Sequence, residues 1–353
     1  CVMGLFDNVL EANQSLFKDE AALDYEFLPK LIPYRESEQQ YLARCIKPLF
    51  HNRSGRNVLV YGAPGIGKTA AIRHVLRDLE DETDDVYIVY CNCWKQNTTY
   101  KVLVEVCEQL GYRFTQNKKT TELLSVAREL INKKSAVLVF DEIDKAEDFD
   151  FLYSLIEEIY RKTILLITNY KSWLYELDER IRSRLLAELV EFKPYNQKEC
   201  LGILQERIKY ALIPTAITTK TLDIIATKTY QLKDIRSGLF LLKESALLAE
   251  EESSKVISAD IVSKAIAKLD EFSSKRTEEL DEESRFVHNI ISQHNGKKIG
   301  DLFKAYQHAG GNASYKTFQR RINKLEEGNF IKLTKQTGAG GNTTIVEKKL
   351  TDF

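Results

Sequence analysis

The amino-acid sequence predicts three parts: an α/β domain with a parallel sheet covered by helices on both faces, a small all-α domain, and a C-terminal module of three helices and a β-hairpin. Short, nearly all-apolar runs alternate with helical patterns up to about residue 195, which is typical of buried parallel strands. Strand patterns then stop, and helical periodicity continues to about residue 270. A length of 353 residues is consistent with two or three domains.

The first strand and helix of the α/β domain enclose the most informative motif of the chain. Residues 57–61 predict a buried strand and residues 70–79 a helix, and GAPGIGKT between them fits the phosphate-binding pattern GxxxxGK[ST]. Glycines let backbone N–H groups point at anionic oxygens, and the helix N-terminus adds its dipole. We expect Lys68 to reach the β- and γ-phosphates of a nucleotide and Thr69 to ligate Mg²⁺. The predicted nucleotide contacts are Gly62, Pro64, Gly65, Ile66, Gly67, Lys68, Thr69 and Ala70.

Three more strands are predicted in the same domain, at residues 86–90, 136–140 and 163–167. They consist almost entirely of β-branched, aromatic and other apolar residues, as expected for strands that are buried on both faces. Helical patterns lie before and between them, at residues 36–49, 100–110, 121–132 and 151–160.

Polar side chains end two of these strands, at the edge where ligands bind in open α/β sheets. Asp141 and Glu142 follow the third strand, and Asn169 follows the fourth. We expect Asp141 to hold Mg²⁺ through water and Glu142 to orient or deprotonate an attacking water. Asn169 has two equal interpretations, a sensor of the γ-phosphate or a simple strand terminator.

Arginines beyond the fourth strand are candidates for stabilising charge on a transferring phosphate. Residues 180–184 contain three of them, and such an arginine acts on a neighbouring subunit's nucleotide in some phosphoryl-transfer enzymes. A solvated helix face is the alternative interpretation. Arg236, at the start of a later helical run, could reach the γ-phosphate from the all-α domain.

The net charge of −1 conceals an asymmetry between the two ends of the chain. Residues 285–353 contain 12 Lys and Arg against 5 Asp and Glu, a balance of +7, and the other 284 residues therefore carry −8. A basic module on an acidic body predicts that the C-terminal module meets a polyanion.

The C-terminal module has the pattern of a winged helix-turn-helix. Two amphipathic helices are predicted around residues 286–291 and 299–306, and a third at 314–327 after a Gly-Gly turn. Two β-rich runs, 330–333 and 344–346, flank a glycine-rich hairpin. A third helix of this kind fits the major groove of DNA, and the wing approaches phosphates or the minor groove. The candidate DNA contacts are Tyr315, Lys316, Thr317, Gln319, Arg320, Lys324, Lys335 and Gly340. A protein-interaction module is the alternative.

The cysteine pattern and the absence of long apolar runs predict a cytoplasmic protein with no membrane partner. The cysteines, at positions 1, 45, 91, 93, 107 and 200, lie in apolar or mixed surroundings without zinc-site spacing, so we expect reduced thiols. No run approaches the roughly 18 apolar residues of a membrane span, and no secretory signal opens the chain.

Together, these motifs resemble those of an AAA+ ATPase, and further motifs resemble one branch, the archaeal origin-recognition (ORC/Cdc-type) replication initiators. The shared AAA+ features are GAPGIGKT, VFDEID, the strand-end Asn169, the Ser183-Arg184 pair and the Asp234-x-Arg236 motif. The branch-specific features are Pro33-Tyr34-Arg35-Glu36, Cys91-Asn92-Cys93 and Phe192-Lys193-Pro194-Tyr195. The resemblance covers about residues 25–350.

The resemblance implies a role for each site residue. Asp141 and Glu142 would form the Walker B pair, Asn169 would be sensor 1 and Arg236 sensor 2. Arg184 would be the arginine finger, with Arg180 in reserve. Tyr195 and the segment around Pro33 to Arg35 would border the adenine of ATP or ADP.

Some positions depart from the family's pattern. Lys233 and Ser237 replace a common Gly and Arg around sensor 2, and Tyr170 replaces an acidic residue after sensor 1. These departures predict inefficient hydrolysis. A helical insertion near residues 111–119 would touch DNA by analogy with the family, although an ordinary exposed loop fits equally well.

The expected function is an ATP-regulated initiator that recognises double-stranded origin DNA and hydrolyses ATP slowly, as a switch. Its parts would be a nucleotide-binding base at 1–195, an all-α lid at 196–272, a linker at 273–284 and the winged helix at 285–353. Initiator paralogues and the replicative helicase are the expected protein partners, on the nucleoid. The alternatives are a STAND-type signalling ATPase, whose winged helix reads a protein or ligand signal, and a clamp-loader-like motor.

Overall fold

The computed structural model describes residues 15–278, 280–294, 296–327, 330–338 and 341–348. The chain divides into two compact units. The first contains residues 24–207 and 233–235, and the second contains the described residues of 1–23, 208–232 and 236–353. The predicted boundaries at residues 195, 272 and 284 remain a prediction.

The first unit is built on a five-stranded sheet, in the order β2-β3-β4-β1-β5, with every neighbouring pair parallel. The strands are β1 (Val58–Tyr61), β2 (Val86–Asn92), β3 (Ser135–Asp141), β4 (Lys162–Thr168) and β5 (Glu188–Glu191). Four were predicted. The pattern did not indicate β5 because it has only four residues, two of them glutamates, and buries only Val190.

Helices cover both faces of this sheet. They are α1 (Glu36–Ile46), α2 (Lys68–Glu82), α3 (Thr99–Gln109), α4 (Thr120–Ile131), α5 (Asp150–Glu158), α6 (Trp173–Glu176) and α7 (Glu179–Leu185). Alternate residues of β3 enter different cores: Leu138 and Phe140 pack on one face of the sheet and Val137 and Val139 on the other. The predicted all-apolar strands are therefore buried on both sides.

The next helices are α8 (Gln197–Ala211), α9 (Thr219–Leu232), α10 (Ile235–Glu251) and α11 (Ala259–Glu278), close to the predicted periodicity. The helix α11 extends to Glu278, into the predicted linker at 273–284, and the next helix begins at Glu282. Residues 271–284 are charged but contain no Gly or Pro, so nothing in them breaks the helix early.

The C-terminal segment contains α12 (Glu282–Gln293), β6 (Lys297–Lys298), α13 (Ile299–His308), α14 (Tyr315–Glu327), β7 (Ile331–Gly338) and β8 (Gly341–Lys348). The three strands form an antiparallel sheet in the order β6-β8-β7. Phe318, Ile322 and Leu325 of α14 are buried in its core, as their helical spacing predicted. This is the element order of a winged helix-turn-helix.

Two general expectations can be compared with the described residues. Their cysteines, Cys45, Cys91, Cys93, Cys107 and Cys200, are all free thiols and buried. Among the same residues, no helix has the length and apolar character that crossing a membrane requires.

The double-sided core provides a stability prediction. Phe140 is fully buried and its ring centroid lies 5.0 Å from that of Phe151. Phe140→Ala should lower the free energy of unfolding of the first unit by about 3–5 kcal/mol because it leaves a cavity. Phe114→Ala is the control, since Phe114 is 79% exposed and its loss should change stability by at most about 0.5 kcal/mol. Urea unfolding followed by tryptophan fluorescence measures the free energy of unfolding of both variants. Equal decreases for the two variants would contradict the place of Phe140 in the core.

Candidate functional site

The phosphate loop connects β1 to α2. At two of its positions, the backbone conformation and close neighbouring atoms require glycine. Gly65 has φ +69° and Gly67 has φ +84°, in the left-handed region that favours glycine. A Cβ on Gly65 would overlap the carboxylate of Asp234, and one on Gly67 would lie 2.6 Å from the Tyr195 hydroxyl. Gly65 also accepts a backbone hydrogen bond from Ile235 at 3.0 Å, so the segment before Arg236 contacts the loop directly.

Lys68 is buried and folded back onto the loop. Its ammonium donates to the carbonyls of Gly62 and Ala63, at 2.7 and 2.8 Å, and to Asn169 Oδ1 at 3.0 Å. The structure therefore brings together the lysine and the strand-end amide that the sequence placed at one sheet edge. Both groups lie where they could meet the same phosphate.

Asp141 is 2% exposed and receives three hydrogen bonds. Its Oδ2 accepts from Thr69 Oγ1 at 2.7 Å and from the Tyr90 hydroxyl at 2.6 Å, and its Oδ1 accepts from the Glu142 amide at 2.8 Å. A carboxylate beside a hydroxyl supplies the hard oxygen ligands that Mg²⁺ prefers. The Thr69–Asp141 pair therefore fits a magnesium ion.

Tyr90 is a member of this cluster that the sequence analysis missed. Burial and the adjacent Asp141 carboxylate raise the pKa of Tyr90, so its hydroxyl stays protonated and donates. The guanidinium of Arg73 lies 4.7 Å from the centre of its ring. The available signal was position: Tyr90 lies near the carboxyl end of β2, next to the strand that carries Asp141.

Glu142 follows Asp141 in the left-handed conformation, with φ +52° and ψ +43°. It precedes a short 3-10 helix at Ile143–Lys145 and is partly exposed. Because β3 ends at Asp141, this bend places Glu142 at the carboxyl edge of the sheet, next to the predicted metal ligand.

Arg35 joins three segments of chain around the loop. The resemblance placed Tyr195 and the segment around Pro33 to Arg35 beside the adenine, but the sequence did not predict these hydrogen bonds. Its Nη2 donates to the carbonyls of Ile66 and Lys193 at 2.9 and 2.6 Å, and its Nε donates to the Tyr195 hydroxyl at 3.1 Å. The guanidinium carbon lies 4.0 Å from the Tyr195 ring centre, and Arg35 is only 4% exposed. Tyr195 is also buried, which raises its pKa, and it packs across Gly67.

The predicted arginine finger has partners within its own chain. Arg184 forms an ion pair with Glu157, donates to the Arg180 carbonyl at 3.2 Å and lies 5.5 Å from the Tyr153 ring centre. Arg180, the reserve candidate, is 77% exposed and pairs with Asp178 at 3.0 Å. Arg236 lies in the first turn of α10 and belongs to the second unit, whereas Asp234 and Ile235 belong to the first.

Most predicted DNA contacts lie on the exposed face of α14. Tyr315, Lys316, Gln319 and Arg320 are exposed, while Phe318 between them is buried. Thr317 is partly buried and shares a hydrogen bond with the Ser314 hydroxyl at 3.1 Å. Lys324 is exposed but donates to Asp281 at 3.2 Å. Lys335 lies in β7, and Gly340 lies outside the described residues.

Two protein families match consecutive parts of the chain. An AAA domain matches residues 51–172, and a Cdc6 AAA+ ATPase-type lid domain matches residues 201–267. The first match contains the phosphate loop, Asp141 and Asn169, and the second contains Arg236. The nucleotide-binding ATPase assignment thus has support that is independent of the site geometry.

Similarity to individual proteins extends over almost the whole chain. The ORC1-type DNA replication protein 2 of Methanosarcina acetivorans is 29% identical, covering 97% of this chain and 96% of that protein. The ORC1-type DNA replication protein 1 of Sulfolobus acidocaldarius is 30% identical, covering 75% and 71%. The chain belongs to the ORC1-type DNA replication protein family. The predicted resemblance is confirmed, and the signalling-ATPase alternative has no support among these relatives.

Solved structures of this family share the fold. The Aeropyrum pernix ORC1 protein in complex with DNA matches with a TM-score of 0.69 and 23% identity, covering 95% of this chain and 94% of that one. Cdc6p from Pyrobaculum aerophilum matches with a TM-score of 0.66 and 18% identity, covering 95% of each chain. The likeness in fold covers almost the whole chain, and with the two family matches it confirms the predicted α/β domain and helical lid.

The contacts of Arg35 predict a positioning role for it. Arg35→Ala should weaken nucleotide binding at least tenfold, because it releases the Ile66 carbonyl in the loop and the Tyr195 hydroxyl beside Gly67. Arg35→Lys should weaken binding to an intermediate extent, since it keeps the charge but loses the forked donors. Calorimetric titration with ADP measures the affinities.

Arg44→Ala on the same helix is the matched control, because Arg44 is exposed and its Nε donates only to the Gln40 carbonyl one turn away. Equal ADP affinities for Arg35→Ala and Arg44→Ala would contradict the role of Arg35. Circular dichroism should confirm that the variants are folded.

Proposed function

We propose that the protein is an ATP-regulated replication initiator that binds double-stranded origin DNA through its winged helix. One observation carries this proposal: a chain of the ORC1-type family joins a phosphate loop with a Thr69–Asp141 pair to an α14 helix with an exposed cationic face. The phosphate loop binds the nucleotide, and α14 binds the polyanion that the charge asymmetry predicts.

The nucleotide half of the proposal assigns a role to each group. Lys68 leaves the Gly62 and Ala63 carbonyls and pairs with the β- and γ-phosphates, while Asn169 contacts the γ-phosphate beside it. Thr69 would ligate Mg²⁺ and Asp141 would hold the ion through water, and the bound ion would neutralise charge on the phosphate oxygens. Glu142 orients the attacking water. Tyr90 fixes the Asp141 carboxylate by donating to Oδ2.

Slow, switch-like hydrolysis is part of the proposal. Arg184 must leave Glu157 before it can stabilise charge on a neighbouring subunit's nucleotide, and the sensor 2 segment has Lys233 and Ser237 in place of the common residues. Both features favour a long-lived ATP state. ATP and ADP then select between two states of the protein, with Arg236 as sensor 2.

The DNA half of the proposal follows from the face of α14. Lys316 and Arg320 are one turn apart and exposed, and Gln319 lies beside them, so the helix offers both phosphate contacts and hydrogen-bonding groups for base edges. Lys335 in β7 and Gly340 extend the contact to the wing. We place the protein in the cytoplasm on the nucleoid, with initiator paralogues and the replicative helicase as further partners.

Two substitutions separate the halves of this proposal. Lys68→Ala should abolish ATP binding and with it any effect of ATP on duplex affinity, whereas Arg320→Ala should weaken duplex binding by about tenfold, corresponding to about 1.4 kcal/mol, and retain ATP binding. The measurements are ATP titration and fluorescence anisotropy with a labelled duplex at several salt concentrations. The salt slope should fall by about 1 for Arg320→Ala if this arginine contacts a phosphate.

Lys220→Ala is the control for lost charge, since Lys220 is exposed on α9. If Arg320→Ala, Lys324→Ala and Lys220→Ala have the same duplex affinity, α14 is not the DNA-binding helix. Footprinting on chromosomal DNA of the source organism completes the test: one discrete intergenic site supports an initiator, and uniform weak coverage contradicts origin recognition.

The Tyr90 hydrogen bond provides a test of the magnesium site. Tyr90→Phe should reduce the gain in ADP affinity that Mg²⁺ provides by about three- to tenfold, because the Asp141 carboxylate loses a donor that fixes its orientation. ADP affinity in EDTA should stay unchanged. Tyr87→Phe is the control on the same strand, whose ring faces Lys134 at 5.5 Å. A full Mg²⁺ effect in Tyr90→Phe would remove Tyr90 from the site.

A further inference from the structure

A groove between α1 and α2 is not explained by nucleotide or DNA binding. It encloses a cavity of about 390 Å³ between these helices and the 3-10 turn Lys47–His51. Its apolar lining consists of Ala43, Ile46, Phe50, Val75 and Leu79. Phe50 is 43% exposed, a large aromatic surface for a side chain that lines a cavity. The groove therefore combines an apolar lining with one large, partly exposed aromatic side chain, Phe50.

Three carboxylates line the groove, and His74 is the one basic side chain among the described lining residues. Glu36 lies on α1, and Asp78 and Glu82 lie one turn apart on α2. Among the described residues, no Lys or Arg lines the cavity. Asp78 Oδ2 lies 3.3 Å from His74 Nδ1. The Glu82 side chain, in contrast, has no hydrogen bond or ion pair with another described residue. Glu82 is thus a carboxylate available to a cation.

We propose that this groove binds a cationic amphipathic helix of a protein partner. The apolar side chains of that helix contact the apolar lining of the groove, and its Lys or Arg side chains lie beside Glu36, Asp78 and Glu82. The carboxylates would repel the phosphates of DNA and select a positively charged occupant. Its α1 side, from Glu36 to Ile46, spans about 15 Å, or nearly three helical turns, which suits apolar anchors at i, i+3/i+4 and i+7. The groove is a protein-docking surface, separate in chemistry from the DNA-binding face.

The two helices that form the groove both start at the nucleotide site. α2 begins at Lys68, the last but one residue of the phosphate motif, and α1 begins directly after Arg35, which holds the Ile66 carbonyl. A partner bound between α1 and α2 therefore contacts the same rigid elements that carry the loop.

The test uses two defined peptide probes, each of roughly 14 residues, about four helical turns. The first carries Leu at i, i+3/i+4 and i+7 with Lys on both flanks, and the second has Glu at every Lys position. Fluorescence anisotropy is measured with the full chain in the presence of ADP and Mg²⁺. The Leu/Lys peptide should bind saturably at one site, and the Leu/Glu peptide should bind at least tenfold more weakly.

Variants distinguish the groove from general attraction to an acidic protein. Phe50→Ala and Glu82→Lys should each weaken the Leu/Lys peptide at least tenfold, and Glu82→Lys should improve binding of the Leu/Glu peptide. Glu80→Lys makes the same charge change on an exposed position of α2 that does not line the groove, and Tyr160→Ala removes an aromatic that is 74% exposed elsewhere. Both controls should stay within twofold of the parent protein.

Equal effects of Glu82→Lys and Glu80→Lys, or undiminished binding by Phe50→Ala, would overturn the proposal. Duplex DNA affinity should not change in the Phe50 and Glu82 variants, so failure of this proposal is distinguishable from failure of the α14 assignment. Circular dichroism and ADP affinity verify that each variant is folded.

Discussion

The nucleotide site depends on the parallel register of three neighbouring strands, β3, β4 and β1. Tyr61 of β1 pairs with Thr168 of β4, so the phosphate loop and Asn169 leave the sheet side by side. Phe140 pairs with Leu166, which brings Asp141 to the same edge. The backbone ladder alone therefore collects the lysine, the amide and the carboxylate, and the hydrogen bonds between their side chains adjust an arrangement that the sheet has already made.

A second constraint is the Arg35 guanidinium, which contacts the loop through the Ile66 carbonyl. Its donors point at carbonyls of two segments, one before α2 and one before α8, and its flat face lies on the Tyr195 ring. A single point charge such as a lysine could not satisfy these directions together. The loop is therefore held between the strand register and one buried cation, before any nucleotide adds its own contacts.

The sequence predicted features that depend on residues close together in the chain, and it did not predict contacts between residues that are far apart in the chain. Periodicity predicted four strands and most helices, and the strand ends predicted Asp141, Glu142 and Asn169, because both depend on residues that are close in the chain. The hydrogen bonds of Arg35 and Tyr90 were not predicted because their partners, Tyr195 and Asp141, are remote in sequence and the pairing depends on the fold. The sequence analysis predicted helical periodicity only to about residue 270, whereas α11 extends to Glu278 through a charged segment without Gly or Pro.

The α14 face and the α1–α2 groove carry opposite charge, so each suits a different class of ligand. The α14 face is cationic and suits DNA, whereas the α1–α2 groove is acidic and excludes it, so one class of macromolecule cannot occupy both. Because α2 begins in the phosphate loop and α1 begins directly after Arg35, which contacts that loop, a bound nucleotide and a bound helix would act on the same two elements. Any difference in groove affinity between the ATP and ADP forms must then appear equally as a difference in nucleotide affinity with and without the partner.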